Sequence, residues 1–234
     1  MLRVTIAGLG SYVPPHTVSN LELEQQLRIT PGWIEQVTGI NERHYVNEET
    51  TVSMAVSAAK NALEQAHMTP EDLDAIVGAC TGSQQTIPCT AVLVQKELGA
   101  PDGRSACFDV NATCLSFIFA LQNVAHLINV GVYRNVLVFS SEISRHSRNP
   151  NEFESSVLFG DAAAAAIITS TADGGASVIK HTRFSTYSSY AHLTQLVGGG
   201  TLHHPNDPTT TPEMNMFSMN GPGVFKKAAR LLKQ

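Results

Sequence analysis

Chemistry in this chain starts with four cysteines, Cys80, Cys89, Cys107 and Cys114. They are separated by 9, 18 and 7 positions and none belongs to a CxxC pair. A zinc-ligand set and a thioredoxin-type motif therefore both lack the spacing they need. What remains is use of a thiol as a nucleophile. Cys80 and Cys107 lie in apolar segments with strand character and are expected in the core. Cys89 and Cys114 each lie beside the start of a segment with helical patterning. A thiol there meets the positive end of the helix dipole and the N–H groups of the first turn. Such surroundings lower a cysteine pKa from about 8.5 into a range of about 3.5–7.5, and the same N–H groups can hold the oxyanion of a tetrahedral intermediate. Position alone does not separate Cys89 from Cys114.

Other candidates have ordinary explanations. Gly8-x-Gly10 lacks the third glycine of a dinucleotide fingerprint and is followed by Pro14-Pro15, so it is expected to be a turn. His44 and His67 stand alone. His203, His204 and Asn206 lie in HHPNDP, a proline-bounded loop expected to be solvated. No HExxH, P-loop or EF-hand spacing occurs, and no metal site is expected. Lys226, Lys227, Arg230 and Lys233 form a basic helix face, solvated or turned towards an acidic partner.

The elements that must position the thiols alternate between strand and helix. Arg3–Leu9 is expected to be a strand. Ser19–Glu22 fits a capping box opening a short helix, and Thr30-Pro31 opens another through Trp33. Residues 51–67 place apolar side chains at helical spacing. Strands are expected at 73–80, 105–110, 135–140, 162–169 and 177–184, and helices from Ile87-Pro88 to Leu98, from near Cys114, and from Gly223. Residues 185–217, rich in Ser, Thr, Gly, Pro and His, are expected to be irregular. The composition changes near Gly174-Gly175, which divides a compact α/β unit, 1–173, from a piece at 174–234 with too few elements to close a core of its own.

Composition fits that organisation. The 234 residues are 43% hydrophobic and 15% charged, with a net charge of −5. A disordered or fibrous chain is excluded, and a dedicated nucleic-acid binder would carry a basic excess. No apolar run reaches the ~20 residues of a membrane-spanning helix. The N-terminal residues MLRVTIAGLGSYVPP lack the pattern of a signal peptide and are expected to begin the fold. A cytoplasmic protein with reduced thiols is expected.

The segment FDVNATCLSFIFAL resembles the nucleophile segment of the β-ketoacyl-acyl carrier protein synthase III family, in the thiolase superfamily. GLGSYVPP, WIEQVTGINERH, DLDAIVGACTGSQQTIPCTAVLVQKELG, NVLVFSSE, LFGDAAAAAII and MNGPGVFKKAA follow the family's order from end to end of the chain. The resemblance selects Cys114 as the thiol that accepts an acyl group from a thioester, with decarboxylative condensation onto a malonyl thioester to follow. It implies a thiolase-like α/β fold, here a first half with the opening of a second, in a homodimer. Trp33 would stack on the adenine of coenzyme A, and Ile87 would reach into the neighbour's acyl pocket. The thioester carrier would be coenzyme A or the phosphopantetheine of acyl carrier protein, with no permanently bound cofactor.

Three features depart from the family pattern. Members that prime with coenzyme A usually carry Arg at the positions of Val37 and Phe153, which points towards a longer or different acyl donor. The small residues after the nucleophile are here Leu115 and Ser116. The family's decarboxylating His and Asn come from a later segment, and His203, His204 and Asn206 do not match them in order. The alternative reading is a thiolase-fold subunit that needs a partner, or is truncated, and does not condense on its own.

Overall fold

The computed structural model describes residues 1–231. In chain order the elements are β1 (Val4–Tyr12), β2 (His16–Ser19), α1 (Asn20–Leu27), α2 (Trp33–Thr38), β3 (Glu42–Tyr45), α3 (Thr51–Ala66), β4 (Ala75–Gly78) and α4 (Thr90–Leu98). There follow β5 (Ala106–Asp109), α5 (Ser116–Asn129), β6 (Asn135–Glu142), α6 (Phe153–Ser156), β7 (Ala162–Ser170), β8 (Thr194–Gln195), β9 (Ser218–Met219) and α7 (Gly221–Leu231). Lys233 lies outside the described residues.

The residues group into two units. The first comprises Met1–His16, Val46–Ile143 and Asp161–Arg183; the second comprises Thr17–Tyr45, Ser144–Gly160 and the chain from Phe184 onward.

The first unit is built on a five-stranded sheet in the order β1-β7-β6-β4-β5. Strand β4 pairs in parallel with both β5 and β6, while β7 runs antiparallel to β6 and β1. Side chains alternate between its faces, as the pleat requires. Ile76, Leu137, Phe139, Ala165 and Ile167 pack with α3 and α4 on one side. Ala75, Val77, Val136, Val138, Ala166 and Ile168 pack with Ala120, Val124, Ala125 and Ile128 of α5 on the other. Strands covered on both faces carry apolar residues at every position rather than alternate ones, which is why β4 is buried throughout.

Helix α3 lies where the 3.6-residue period places it, and Thr50 caps it in a reciprocal box with Ser53. Gly8 and Gly10 do not make the expected turn: both are inside β1. Added Cβ atoms there would lie 2.1 Å from the Ala62 carbonyl oxygen and 2.0 Å from that of Ala58, so the glycines let α3 descend onto the strand. The strand expected over 177–184 is reduced to one bridge, Leu2 with Ile179. The helix expected from Ile87-Pro88 begins at Thr90, after a cis peptide bond at that dipeptide.

In the second unit β2 pairs with β3, and Ser19 caps α1 by accepting the Glu22 N–H. Val18, Leu23, Ile34, Tyr45 and Val157 form a small core against which Trp33 packs. The segment 185–217 is largely irregular, with short 3₁₀ helices at Ser188–Leu193 and Pro212–Asn215 and the short β8, which pairs with β9.

Candidate active site

Burial sorts the four thiols. Cys80 is 8% exposed two residues beyond β4, and burial pushes its pKa up to about 12. Cys107 on β5 is pushed up to about 11 for the same reason. Both hold their protons at neutral pH and are poor nucleophiles. Cys89 is half-buried at the N-cap of α4 and packs against the core. The first N–H groups of that helix are already taken: Thr90 donates to Asp109 Oδ2 at 2.8 Å and Ala91 to Asp109 Oδ1 at 2.9 Å. A thiolate at Cys89 would sit beside a carboxylate that has claimed the helix end. Cys114 is exposed.

Cys114 stands one residue before the N-cap Leu115, so α5 begins later than expected. Its first N–H groups also turn inward, Leu115 donating to the Ala112 oxygen at 3.2 Å and Ser116 to the Thr113 oxygen at 3.0 Å. These two N–H groups are therefore not directed at an incoming oxyanion. The cysteine is presented on a tight turn. Thr113 lies in the left-handed region, φ 55°, where a β-branched residue carries a strain of about 1–3 kcal/mol.

Hydrogen bonds hold that turn. Asn111 Oδ1 accepts the Thr113 N–H at 2.9 Å, and Asn111 Nδ2 donates to the Thr81 oxygen at 3.0 Å. Ser116 Oγ accepts the Ala112 N–H at 2.9 Å and donates to the Thr113 oxygen at 2.6 Å. Behind Thr81, the half-buried Glu142 carboxylate accepts the Thr81 and Gly82 N–H groups. Burial raises its pKa above the ordinary carboxylate value. Asn111 and Glu142 were not identified from the sequence, and Ser116 was marked there only as a departure after the nucleophile. Asn111 carried a local signal, since Asn commonly bonds the N–H two residues on.

The Thr81–Asn111 bond also joins the Cys114 turn to the segment that carries Ile87. Residues 81–88 are exposed throughout, and Ile87 is 82% exposed. Trp33 belongs to the second unit. It opens α2, half-buried, with its ring edge-on to Phe153 at a centroid distance of 5.3 Å. The carboxylate of Glu24, itself 2% exposed, accepts the N–H groups on either side of it, from Gly32 at 2.9 Å and Ile34 at 3.0 Å. Val37, one turn further along α2, is 60% exposed. Two arginines of this unit are engaged elsewhere. Arg43 donates to the Val157 and Asn20 oxygens, and Arg148 lies 5.5 Å over the Tyr45 ring.

A family model for 3-oxoacyl-[acyl-carrier-protein] synthase III matches residues 108–187, a span that contains Cys114. The β-ketoacyl-[acyl-carrier-protein] synthase III of Desulfitobacterium hafniense is 35% identical over 238 residues, covering 99% of this chain and 69% of that protein. The chain belongs to the 3-oxoacyl-[acyl-carrier-protein] synthase III family. The corresponding protein of Bartonella bacilliformis is 36% identical, over 99% of this chain and 70% of its own length. Among solved structures, the synthase III of Aquifex aeolicus superposes with a TM-score of 0.83 at 34% identity, over 96% of this chain and 67% of that one. The priming β-ketosynthase of a polyketide biosynthetic pathway gives 0.84 at 28% identity, over 97% and 66%. The fold is thus the thiolase-like fold of the synthase III enzymes, transferases of the condensing type. Among the described residues no helix is long and apolar enough to cross a membrane.

Proposed function

We propose that this chain carries out acyl transfer to Cys114, with the acyl-enzyme serving condensation with a malonyl thioester in fatty-acid or related acyl-chain synthesis. The observation that carries the reading is the contrast among the thiols. Cys114 alone of the four is exposed, and it stands on a strained turn inside the segment matched by the family model. Attack of the Cys114 thiolate on a donor thioester forms the enzyme thioester and releases the donor as its thiolate, which takes a proton from water. The second step breaks the malonyl carbon–carboxylate bond with release of CO2, and the carbanion so formed attacks the Cys114 thioester carbon, whose C–S bond breaks to return the Cys114 thiolate. Covalent catalysis in this manner divides one difficult bond formation into two accessible ones.

The acyl group arrives on coenzyme A or on the phosphopantetheine of acyl carrier protein. Trp33 gives a flat aromatic ring on a backbone that Glu24 anchors through the Gly32 and Ile34 N–H groups, which supports adenine stacking. Exposed Val37 and half-buried Phe153 bring no positive charge to phosphates beside it, which supports a donor other than a short acyl-coenzyme A. Exposure of Ile87 supports its role against an acyl chain in a homodimer, and β5, at one edge of the sheet, has a side open to a second copy. Residues 1–173 are read as the first half of the fold and 174–234 as the start of the second. Exposed apolar residues such as Leu9 on β1 and Ile118 on α5 support a first half that is covered when the enzyme is assembled. The site of action is the cytoplasm.

Incubation with an acyl-coenzyme A, followed by peptide mapping, tests the assignment. Acylation on Cys114, abolished in Cys114→Ala, is the expected result. Equal labelling of the Cys114→Ala variant, or prior labelling of Cys89, would sink it.

A further inference from the structure

We infer that Ser116 is a positioning residue for the reaction at Cys114, with Asn111 as a second, outer brace. This rests on the reading of Cys114 as the acyl acceptor. The turn that presents Cys114 has Thr113 in a left-handed conformation which that residue does not adopt readily by itself. Relaxation of Thr113 to negative φ would swing the following Cα–Cβ bond, and with it the sulfur.

Four backbone groups just before the cysteine are tied. The Ala112 N–H is held by Ser116 Oγ, the Ala112 oxygen by the Leu115 N–H, the Thr113 N–H by Asn111 Oδ1, and the Thr113 oxygen by both the N–H and the hydroxyl of Ser116. Ser116 spans the cysteine, bonding residues three and four positions back with one hydroxyl. It is 2% exposed, so water does not compete for those bonds. Ser116 is also the first residue of α5, whose following turns lock against the sheet through Ala120 and Val124. The hydroxyl therefore transmits the rigidity of the packed helix to the turn. Asn111 fastens the opposite side to the Thr81 oxygen, where the Glu142 carboxylate accepts the Thr81 and Gly82 N–H groups. Neither side chain needs to touch the substrate: both act through the orientation of the Cys114 sulfur.

Orientation and simple reactivity separate in two rates measured on the same folded protein. One is acetyl transfer to Cys114 from S-acetyl-N-acetylcysteamine, which requires an aligned carbonyl. The other is alkylation of Cys114 by iodoacetamide, which requires only an accessible thiolate. Ser116→Ala is expected to slow acetyl transfer about ten-fold or more, because small misplacements of reacting groups are costly, while alkylation stays within about two-fold. Asn111→Ala, at an exposed position where the fold is not at risk, is expected to slow acetyl transfer several-fold by the same criterion, and it decides the matter if Ser116→Ala does not fold. Wild-type acetyl transfer rates in the folded variants, or acetylation and alkylation falling in parallel, would overturn the positioning role. Acetylation of the wild type at a cysteine other than Cys114 would remove the nucleophile assignment and this inference together. Acetylation at Cys114 with unchanged variants removes this inference alone.

Discussion

Cys80 shows how burial decides the fate of a side chain that sequence spacing leaves undetermined. Its sulfur accepts the Ser141 N–H at 3.3 Å, but loss of water dominates and keeps the thiol protonated far above the ordinary range. The native state therefore binds a proton that the unfolded state releases between about pH 9 and 12. The stability this contributes is complete below pH 9 and is lost as pH rises through that window, with a limiting slope of about 1.4 kcal/mol per pH unit. Denaturation midpoints of Cys80→Ala followed from pH 8 to 11 should fall less steeply than those of the wild type; parallel curves would contradict the assignment. At Trp33 the expected effect is kinetic. Loss of a base–aromatic stack is worth about 1–3 kcal/mol, so Trp33→Ala should raise the KM for an acyl-coenzyme A about five- to hundred-fold. Acylation by a carrier-free thioester should be unaffected, and equal losses with both donors would instead indicate damage to α2.

Between elements, the close approach of α3 to β1 is the contact least tolerant of change. A methyl group at Gly10 would overlap the Ala58 carbonyl oxygen, part of a helix backbone that has no rotamer through which to yield. Gly10→Ala is therefore expected to destabilise the chain by about 3 kcal/mol or more, measured by chemical denaturation, as overpacking at a rigid contact does. An effect below about 1 kcal/mol would mean that α3 shifts freely on the sheet. The apolar periodicity of 51–67 identified the helix, but the reason for two glycines in a strand lay in the partner across the interface. Likewise, the start of α5 was displaced by two residues from Cys114. The hydroxyl of Ser116 and the amide of Asn111 make a turn where patterning alone reads as continuous helix.

At the scale of the molecule, the chain corresponds to 69% of the length of its Desulfitobacterium relative, and the two steps of the proposed reaction draw on different parts of the family pattern. Acylation needs Cys114 and the turn that presents it. Decarboxylation needs hydrogen-bond donors that stabilise the developing charge on a thioester oxygen, and the His and Asn of the family pattern find no match in order within the 234 residues. The purified chain is accordingly expected to take an acyl group from a thioester and not to release a condensed product from malonyl thioester, both assayed by mass spectrometry. Condensation by this chain alone would show that other residues supply the charge stabilisation.

The ordered motifs and the α/β alternation sufficed to identify the family and its fold, because apolar spacing and turn residues are local properties that survive in one dimension. They also brought Cys114 forward as a candidate, through a segment whose residues lie side by side in the chain. Position beside a helix start could not by itself separate Cys89 from Cys114; the resemblance selected Cys114. The tertiary structure adds Asp109, twenty positions from Cys89 along the chain yet bonded to the helix end beside it, which favours the same choice. The clasp around Cys114 required the tertiary structure for a similar reason: its hydrogen bonds depend on a positive φ at Thr113 and on the packing that fixes α5 against the sheet. A serine or an asparagine in sequence carries no sign of which backbone groups it will meet, because the partners of a polar side chain are chosen by where the folded backbone leaves donors and acceptors to be satisfied.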